Sequence, residues 1–271
     1  MASRKNNLED VKVDPENDET DADFDLRDLA SLKIDKLETK QKDEVVANPN
    51  CHIIPKHPAR VLFNGSSGSG KTNLIINMLL KPQMYCGYFN AIYLFSQSYS
   101  NDDIWQNLQL PENMVFENFS EAALQKLINL QNMMIDKYGF ANSPKILFVF
   151  DDIIDDSTYY RSKALKTLFT RGRHLNSSVW FSTQEYVKTP PTLRKNMSDM
   201  IIFQPTNDQE LERIVSENAL GVKKSDFKRM LLIVTEPKYA FMVIKRGKNV
   251  DKNHRYLKNF DEYITPTTSL I

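Results

Sequence analysis

One glycine-rich segment has the residue types and spacing of a loop that binds phosphate groups. It fits the pattern GxxxxGK[ST], in which glycines let the chain curl until successive backbone N–H groups point at one anion. In this pattern Lys71 reaches the β and γ phosphates of a nucleotide, and the hydroxyl of Thr72 binds Mg²⁺. The alternative is a flexible Gly/Ser turn, but three of only eight glycines in the chain fall within six positions here. The segment consists of Gly65, Ser66, Ser67, Gly68, Ser69, Gly70, Lys71 and Thr72.

Two carboxylates directly follow an apolar run later in the chain. The run 145–150 ends in Asp151 and Asp152, which is the pattern of a Walker B motif. A carboxylate at the carboxyl end of a parallel strand faces the ligand crevice of an open α/β sheet. We therefore expect Asp151 to anchor Mg²⁺ and Asp152 to orient and deprotonate an attacking water. Asp155 and Asp156 could compete for the second role, although surface charge is the simpler interpretation.

A neutral amide, Gln184, follows the next apolar run, 178–183. At the end of a parallel strand, such an amide can sense the γ phosphate or the attacking water. The alternative is a polar residue that merely ends a strand. The two preceding motifs favour the functional interpretation.

Arginines precede and follow this same run. Because Arg171 and Arg173 precede the predicted strand 178–183, they are expected at its amino end, across the sheet from a nucleotide bound by the same subunit. Either one could then reach a phosphate only on a neighbouring subunit, as a finger supplied in trans within a ring. A structural or solvent-facing arginine is the alternative. Arg194, which follows the strand, is expected on the nucleotide side and is a weaker candidate.

These motifs need a sheet that brings several strand ends together. From Pro58 onward, apolar runs of strand length alternate with helical patterns, which predicts an α/β fold with a mostly parallel central sheet flanked by helices. Ser120, and Thr206 or Asn207, are expected helix N-caps. We predict strands at 59–63, 91–96, 145–150, 178–183, 200–203 and 239–245, and helices at 71–81, 120–137, 160–171, 208–218 and 225–234.

The chain holds 35 Lys+Arg and 35 Asp+Glu, but the charges are unevenly distributed. Residues 1–50 hold 8 basic and 14 acidic residues, which predicts an acidic, largely flexible leader. We expect 51–205 to form a P-loop ATPase core and 206–271 a basic helix and strand extension of the same domain. No apolar run is long enough for a membrane span, and there is no secretory signal, so we expect no stable membrane insertion and an intracellular location.

The motifs occur in an order that resembles the poxvirus-type genome-packaging ATPases of large DNA viruses and virophages, within the FtsK/HerA group of DNA-pumping motors. The resemblance covers about residues 58–260. Its most specific part is the segment GRHLNSS at 172–178, which leads into a strand that ends in TQ. It is supported by the loop 65–72, the Phe150-Asp151-Asp152 segment and the stretch 193–196.

This resemblance implies a RecA-like core that uses ATP and Mg²⁺ and works as a homo-oligomeric ring. The implied activity is ATP-driven translocation of double-stranded DNA, without sequence preference, into a viral capsid or procapsid at the site of virion assembly in the host cell. The resemblance also implies that the residues that bind and hydrolyse ATP in these motors correspond here to Lys71, Thr72, Asp151, Asp152, Gln184 and Arg173.

The C-terminal segment gives separate, weaker support for DNA as a partner. Between Lys223 and Lys258 the chain holds 11 basic and 3 acidic residues, a density that could neutralise phosphates, although a solubilising surface is equally compatible. Two alternative functions stay open, namely a P-loop kinase for a nucleoside or small molecule and a nucleotide-switched scaffold for virion assembly. The intact pair Asp151 and Asp152 favours turnover over a scaffold. The basic cluster comprises Lys223, Lys224, Lys228, Arg229, Lys245, Arg246, Lys248, Lys252 and Arg255.

Overall fold

A computed structural model describes residues 53–153, 159–247 and 250–266. The predicted acidic leader, together with Asp155 and Asp156, lies outside these residues. The described strands are β1 Arg60–Asn64, β2 Ala91–Ser96, β3 Val115–Phe116, β4 Ile146–Asp151, β5 Ser177–Thr183, β6 Asp199–Phe203, β7 Phe241–Lys245, β8 Tyr256–Lys258 and β9 Glu262–Ile264. The α-helices are α1 Lys71–Leu80, α2 Glu121–Tyr138, α3 Lys163–Arg171, α4 Pro191–Asn196, α5 Asp208–Asn218 and α6 Lys224–Thr235.

All nine strands form one sheet in the order β3-β2-β4-β5-β1-β6-β7-β8-β9. The strands from β3 to β6 in this order run parallel, and β7, β8 and β9 add an antiparallel edge. The predicted α/β fold with a mostly parallel sheet is therefore confirmed. The C-terminal strands β7, β8 and β9 therefore continue the same sheet as the parallel strands.

The central strands match the apolar runs because they are buried on both faces. All five residues of β1 and all seven of β5 are buried. Trp180 in β5 packs against Phe63 in β1, with ring centroids 5.6 Å apart. Such near-continuous burial fixes the strands in register, so their carboxyl ends lie side by side.

Four of the five predicted helices begin within one residue of the predicted position, whereas the helix predicted from residue 160 begins at Lys163, after the short 3₁₀ turn Tyr159–Arg161. Ser120 accepts a hydrogen bond from the backbone of Ala123 (3.2 Å) at the start of α2, and Asn207 accepts one from Glu210 (2.9 Å) at the start of α5. These side chains satisfy backbone N–H groups that have no partner within the helix. None of the helices in the described part of the chain is both long and apolar enough to cross a lipid bilayer.

One predicted strand bound is wrong by two residues. The sequence predicts a strand from Tyr239, but β7 begins at Phe241. Tyr239 has a positive φ of 67°, which an extended strand does not allow, and it lies in a turn closed by a hydrogen bond from Ala240 N to the oxygen of Pro237 (2.9 Å).

Candidate active site

A cleft of about 840 Å³ opens at the carboxyl ends of the parallel strands. The strand order places β5 between β1, which precedes the glycine-rich loop, and β4, which ends in Asp151. The loop, both Walker B carboxylates and Gln184 therefore line the same cleft, although they come from three separate parts of the sequence. A concave site of this size is typical of small-ligand binding.

Packing explains why glycine is needed at the start of the loop. A Cβ added at Gly65 would lie 2.7 Å from the Cβ of Phe203 in β6, which is closer than two nonbonded carbon atoms can approach. Gly70 has a φ of 100°, a left-handed conformation that side chains other than glycine's adopt only at a cost. Gly70 is also the residue before α1, so the loop turns directly into the positive end of this helix.

The side chain of Lys71 is folded back onto the loop. Its ammonium donates hydrogen bonds to the backbone oxygens of Gly65 (2.6 Å) and Ser66 (3.0 Å), and the residue is only 6% exposed. Burial lowers the pKa of Lys71, while the carboxylates of Asp152 and Asp151 oppose this shift. A phosphate in the loop would supply the anionic partner that favours the charged ammonium.

Asp151 is the last residue of β4 and is 4% exposed. Burial raises the pKa of its carboxyl group, and the neighbouring Asp152 raises it further. The hydroxyl of Ser182 and the indole N–H of Trp105 lie close enough to lower this pKa, although neither meets the geometry of a full hydrogen bond. A cation beside this carboxylate would stabilise its ionised form.

Asp152 and Gln184, predicted separately from the sequence, contact each other. The amide of Gln184 donates a hydrogen bond to Oδ2 of Asp152. Asp152 has a positive φ of 52°, and non-glycine residues in this conformation cluster at functional sites. The arrangement fixes the direction of the Asp152 carboxylate in the cleft, as a general base requires.

The donor set fits Mg²⁺ held between protein and phosphates. Oxygen ligands suit this ion, and it is usually bound through one or two carboxylates plus substrate phosphates. The hydroxyl of Thr72 and the carboxylate of Asp151 are the groups that would hold it. No cluster of three or more His, Cys, Asp or Glu that could form an all-protein metal cage occurs within the described residues. Two buried polar atoms here, Asn64 Nδ2 and Ser69 Oγ, have no hydrogen-bond partner in the described structure.

Arg171 and Arg173 lie at the amino ends of the parallel strands, whereas the cleft lies at the carboxyl ends. Arg171 ends α3, and Arg173 belongs to the short helical turn Gly172–Leu175 that leads into the amino end of β5. Both side chains are exposed. Burial lowers the pKa of Arg60, the first residue of β1, and the charge of Arg173 lowers it further, whereas the carboxylate of Asp199 opposes this shift. Neither arginine lines the nucleotide cleft of its own chain.

The rest of the GRHLNSS segment is structural. Asn176 adopts a left-handed conformation (φ 46°), accepts a hydrogen bond at Oδ1 from His57 Nε2 (3.0 Å), and donates one to the oxygen of Ser143 (3.0 Å). Ser178 Oγ contacts His57 Nδ1 at 2.7 Å. These contacts tie the segment to neighbouring loops at the amino end of the sheet.

Arg194, the weaker finger candidate, is committed elsewhere. It is 3% exposed and makes a two-pronged contact with Glu217 of α5, with Nε to Oε2 at 2.9 Å and Nη2 to Oε1 at 2.7 Å. Its remaining guanidinium nitrogen donates to the backbone oxygens of Tyr186, Val187 and Thr189. A finger role would require breaking all these bonds, so the structure assigns Arg194 to holding the segment after Gln184.

We expect Arg194→Met to destabilise the protein by about 3 kcal/mol, because it removes the buried half of the ion pair with Glu217 and takes a charged donor away from the backbone oxygens of Tyr186 and Thr189. Urea unfolding followed by circular dichroism measures this change. Lys195→Met, at the exposed neighbouring position, is the matched control and should stay within about 0.5 kcal/mol of wild type. An Arg194→Met protein as stable as wild type would contradict the assigned role.

Glu210, which no sequence motif singles out, holds the same segment. Both of its carboxylate oxygens accept backbone N–H groups, from Tyr186 (2.7 Å) and from Val187 (3.1 Å). The residue is 7% exposed. A glutamate in the first turn of a predicted helix indicates by itself only a favourable charge near the helix N-terminus. The contact with a segment more than twenty positions earlier requires the folded structure.

The sheet order, the glycine-rich loop and the paired carboxylates define a RecA-like P-loop NTPase fold. The family described as Poxvirus A32 protein matches residues 50–262, and the chain belongs to this family.

Two viral relatives and one solved structure illustrate the similarity. Protein 075L of Invertebrate iridescent virus 6 is 23% identical over 178 residues, which cover 65% of this chain and 67% of the relative. DNA packaging protein OPG160 of Monkeypox virus is 26% identical over 186 residues, which cover 66% of this chain and 58% of the relative. Genome packaging NTPase B204 of Sulfolobus turreted icosahedral virus 2, solved with AMP, has a TM-score of 0.51 at 15% identity, covering 76% of this chain and 98% of B204.

Proposed function

We propose that this protein is an ATP- and Mg²⁺-dependent motor that translocates double-stranded DNA into a viral capsid during virion assembly. The observation that carries the proposal is the convergence of the phosphate loop, Asp151 and the Asp152–Gln184 pair on one cleft. Membership of the Poxvirus A32 protein family and similarity to a protein named for DNA packaging support the choice of DNA as the substrate that is moved.

The cleft residues divide the hydrolysis reaction among them. Asp152 accepts a proton from the attacking water, and Gln184 holds this carboxylate in place. Lys71 balances the charge that develops on the transferring phosphoryl group. Thr72 and Asp151 would hold Mg²⁺, which would neutralise negative charge on the nucleotide phosphates. The products are ADP and inorganic phosphate.

The proposed motor is a homo-oligomeric ring in which Arg173 acts on the neighbouring subunit. The support for this role is that Arg173 is exposed and lies before the amino end of β5, whereas the nucleotide cleft of the same chain lies at the carboxyl ends of the strands. We expect Arg173→Ala to lower kcat about 10³-fold, the lower end of the effect of an arginine finger. Lys166→Ala, at an exposed position of α3, is a control for loss of surface charge.

Mixed rings test the trans contact directly. Arg173→Ala subunits keep an intact cleft, and Asp152→Asn subunits keep an intact finger. Mixtures of the two inactive proteins should therefore recover a fraction of wild-type ATP hydrolysis, with a maximum at intermediate ratios. Hydrolysis that stays at background at every ratio would contradict a finger supplied in trans.

The basic C-terminal cluster is only partly available to DNA. Arg246 donates to the backbone oxygen of Arg194, Arg255 donates to the backbone oxygen of Lys245 (2.9 Å), and Lys228 is paired with Glu212 (2.7 Å). A Cβ added at Gly221 would lie 3.9 Å from Cγ of Lys252, so the loop before α6 approaches this lysine. Among the members of the cluster that the structure describes, the exposed ones are Lys223, Lys224, Arg229 and Lys252, and we propose that they track DNA phosphates.

Steady-state ATP hydrolysis with duplexes of unrelated sequence, measured across a salt series, tests the proposed function. A sequence-tolerant motor should be stimulated by every duplex, and the stimulation should decline as salt rises. Replacing Lys223, Lys224 and Lys252 together by alanine should reduce the salt dependence and leave DNA-free hydrolysis unchanged. A rate of ATP hydrolysis that does not change when DNA is added would instead favour the P-loop kinase or the nucleotide-switched scaffold.

A further inference from the structure

The two ends of the nucleotide cleft differ in chemistry. At one end lie Asp151, Asp152 and Gln184, which come from β4 and β5. At the other end lie the aromatic residues Phe203 of β6, Tyr239 of the turn before β7 and Phe241 of β7. Because the glycine-rich loop follows β1, which lies between these strands, it separates the acidic end from the aromatic end.

This arrangement fixes the direction of a bound nucleotide. The γ phosphate must lie towards the carboxylates, where the water is activated, so the nucleoside must extend towards the aromatic end. Of the three aromatic residues there, Phe203 is 2% exposed and Phe241 is 7% exposed, whereas Tyr239 is 57% exposed. Among these residues, Tyr239 alone presents a large ring surface to the cleft.

The backbone holds Tyr239 in a conformation that its residue type does not favour. It is the third residue of the turn 237–240, and its φ is 67°. Glycine or asparagine is the usual residue at a turn position with positive φ. A bulky residue retained in such a conformation is typical of a functional site.

The tyrosine ring rests against the phosphate loop. Its Cδ1 atom lies 3.2 Å from the position that a Cβ on Gly70 would occupy, so the absence of a side chain at Gly70 lets the ring approach. Gly70 directly precedes Lys71, which is expected to bind the β and γ phosphates. The ring is therefore within one nucleotide length of the phosphate position.

We propose that Tyr239 is the platform on which the base of the bound nucleotide stacks. The inference rests on the proposed nucleotide site and adds the residue that recognises the base. Stacking on an aromatic ring is sequence-tolerant because every base has a π face, so Tyr239 supplies affinity for nucleosides rather than selectivity among purines. The ammonium of Lys238 lies 4.8 Å from the ring centroid, so the ring already has a cation as a π partner.

Binding of ATP and of inorganic tripolyphosphate, measured by titration calorimetry with Mg²⁺, tests the platform. Tripolyphosphate carries the phosphates without ribose or base. Tyr239→Ala should weaken ATP binding about tenfold, which is the expected loss of one stacked base, and leave tripolyphosphate binding unchanged. Tyr239→Phe should bind both ligands like wild type because it keeps the ring. Lys238→Ala, the matched control, removes the cation and keeps the ring, and should change ATP binding by less than about twofold.

Two results would overturn the platform. Equal loss of ATP and tripolyphosphate binding in Tyr239→Ala would mean that the ring only supports the loop. Unchanged ATP binding would mean that the exposed ring serves another contact, such as a neighbouring subunit or DNA. Both results differ from failure of the nucleotide site itself, in which the wild-type protein would bind neither ligand.

Discussion

Lys71→Ala should bind ATP at least about 100-fold more weakly than wild type. The ammonium is expected to make two charge-assisted hydrogen bonds to phosphate oxygens, each worth about 1.5–3 kcal/mol, and the variant loses both. The loop itself should persist, because Gly65 and Gly70 set its path, and its backbone bond from Ser69 N to Ser66 O (3.2 Å) does not involve the lysine side chain. Titration calorimetry with Mg²⁺ and ATP measures the change.

A control within the same cleft separates a specific contact from general charge. Lys81 lines the cleft just beyond the end of α1 and is exposed. Lys81→Ala removes the same charge and should alter ATP affinity by no more than about threefold, because an exposed charge pair contributes little. If Lys71→Ala keeps tight ATP binding, the segment 65–72 does not act as a phosphate loop.

Asp152→Asn should bind ATP like wild type but hydrolyse it about 10²–10⁴-fold more slowly, the usual contribution of a positioned general base. Asparagine tolerates the positive φ at this position as well as aspartate does, so the backbone should be kept. Its side-chain oxygen can still accept the hydrogen bond from Gln184. The variant therefore removes the proton acceptor while leaving the local geometry in place.

Single-turnover hydrolysis, measured with enzyme in excess over ATP, isolates the chemical step from product release. Asp102→Asn is the matched control, because Asp102 lines the same cleft and its Oδ1 accepts a hydrogen bond from Ile104 N (3.1 Å), a contact that asparagine can keep. Its hydrolysis rate should stay within about twofold of wild type. Wild-type turnover by Asp152→Asn would move the base elsewhere, and Asp155 would be the next candidate.

The central strands and the phosphate loop could be predicted because their signals are local. A strand buried on both faces must be a continuous apolar run, and β1, β4 and β5 match the predicted strands within one residue at each end. The strands β3, β8 and β9 have two or three residues each, which is too short to show a periodic pattern. Helix α4, with six residues, was missed for the same reason.

Contacts between distant segments could not be predicted. Arg194 was expected near the nucleotide because it follows the strand that ends in Gln184. Its partner Glu217 lies on α5, 23 positions later, and nothing in the local sequence pairs them. The hydrogen bond between Asp152 and Gln184 likewise depends on the adjacent position of β4 and β5 in the sheet.

ATP-dependent displacement of a third strand from a DNA triplex tests the motor most directly. A translocating protein that starts on the duplex arm should remove the third strand when ATP is present, whatever the sequence of that arm. The Asp152→Asn protein should not displace the third strand. We expect this displacement to occur, and we expect its rate to decline as salt weakens contacts with DNA phosphates. Robust ATP hydrolysis with no displacement from any duplex arm, at any salt concentration that permits hydrolysis, would contradict this expectation.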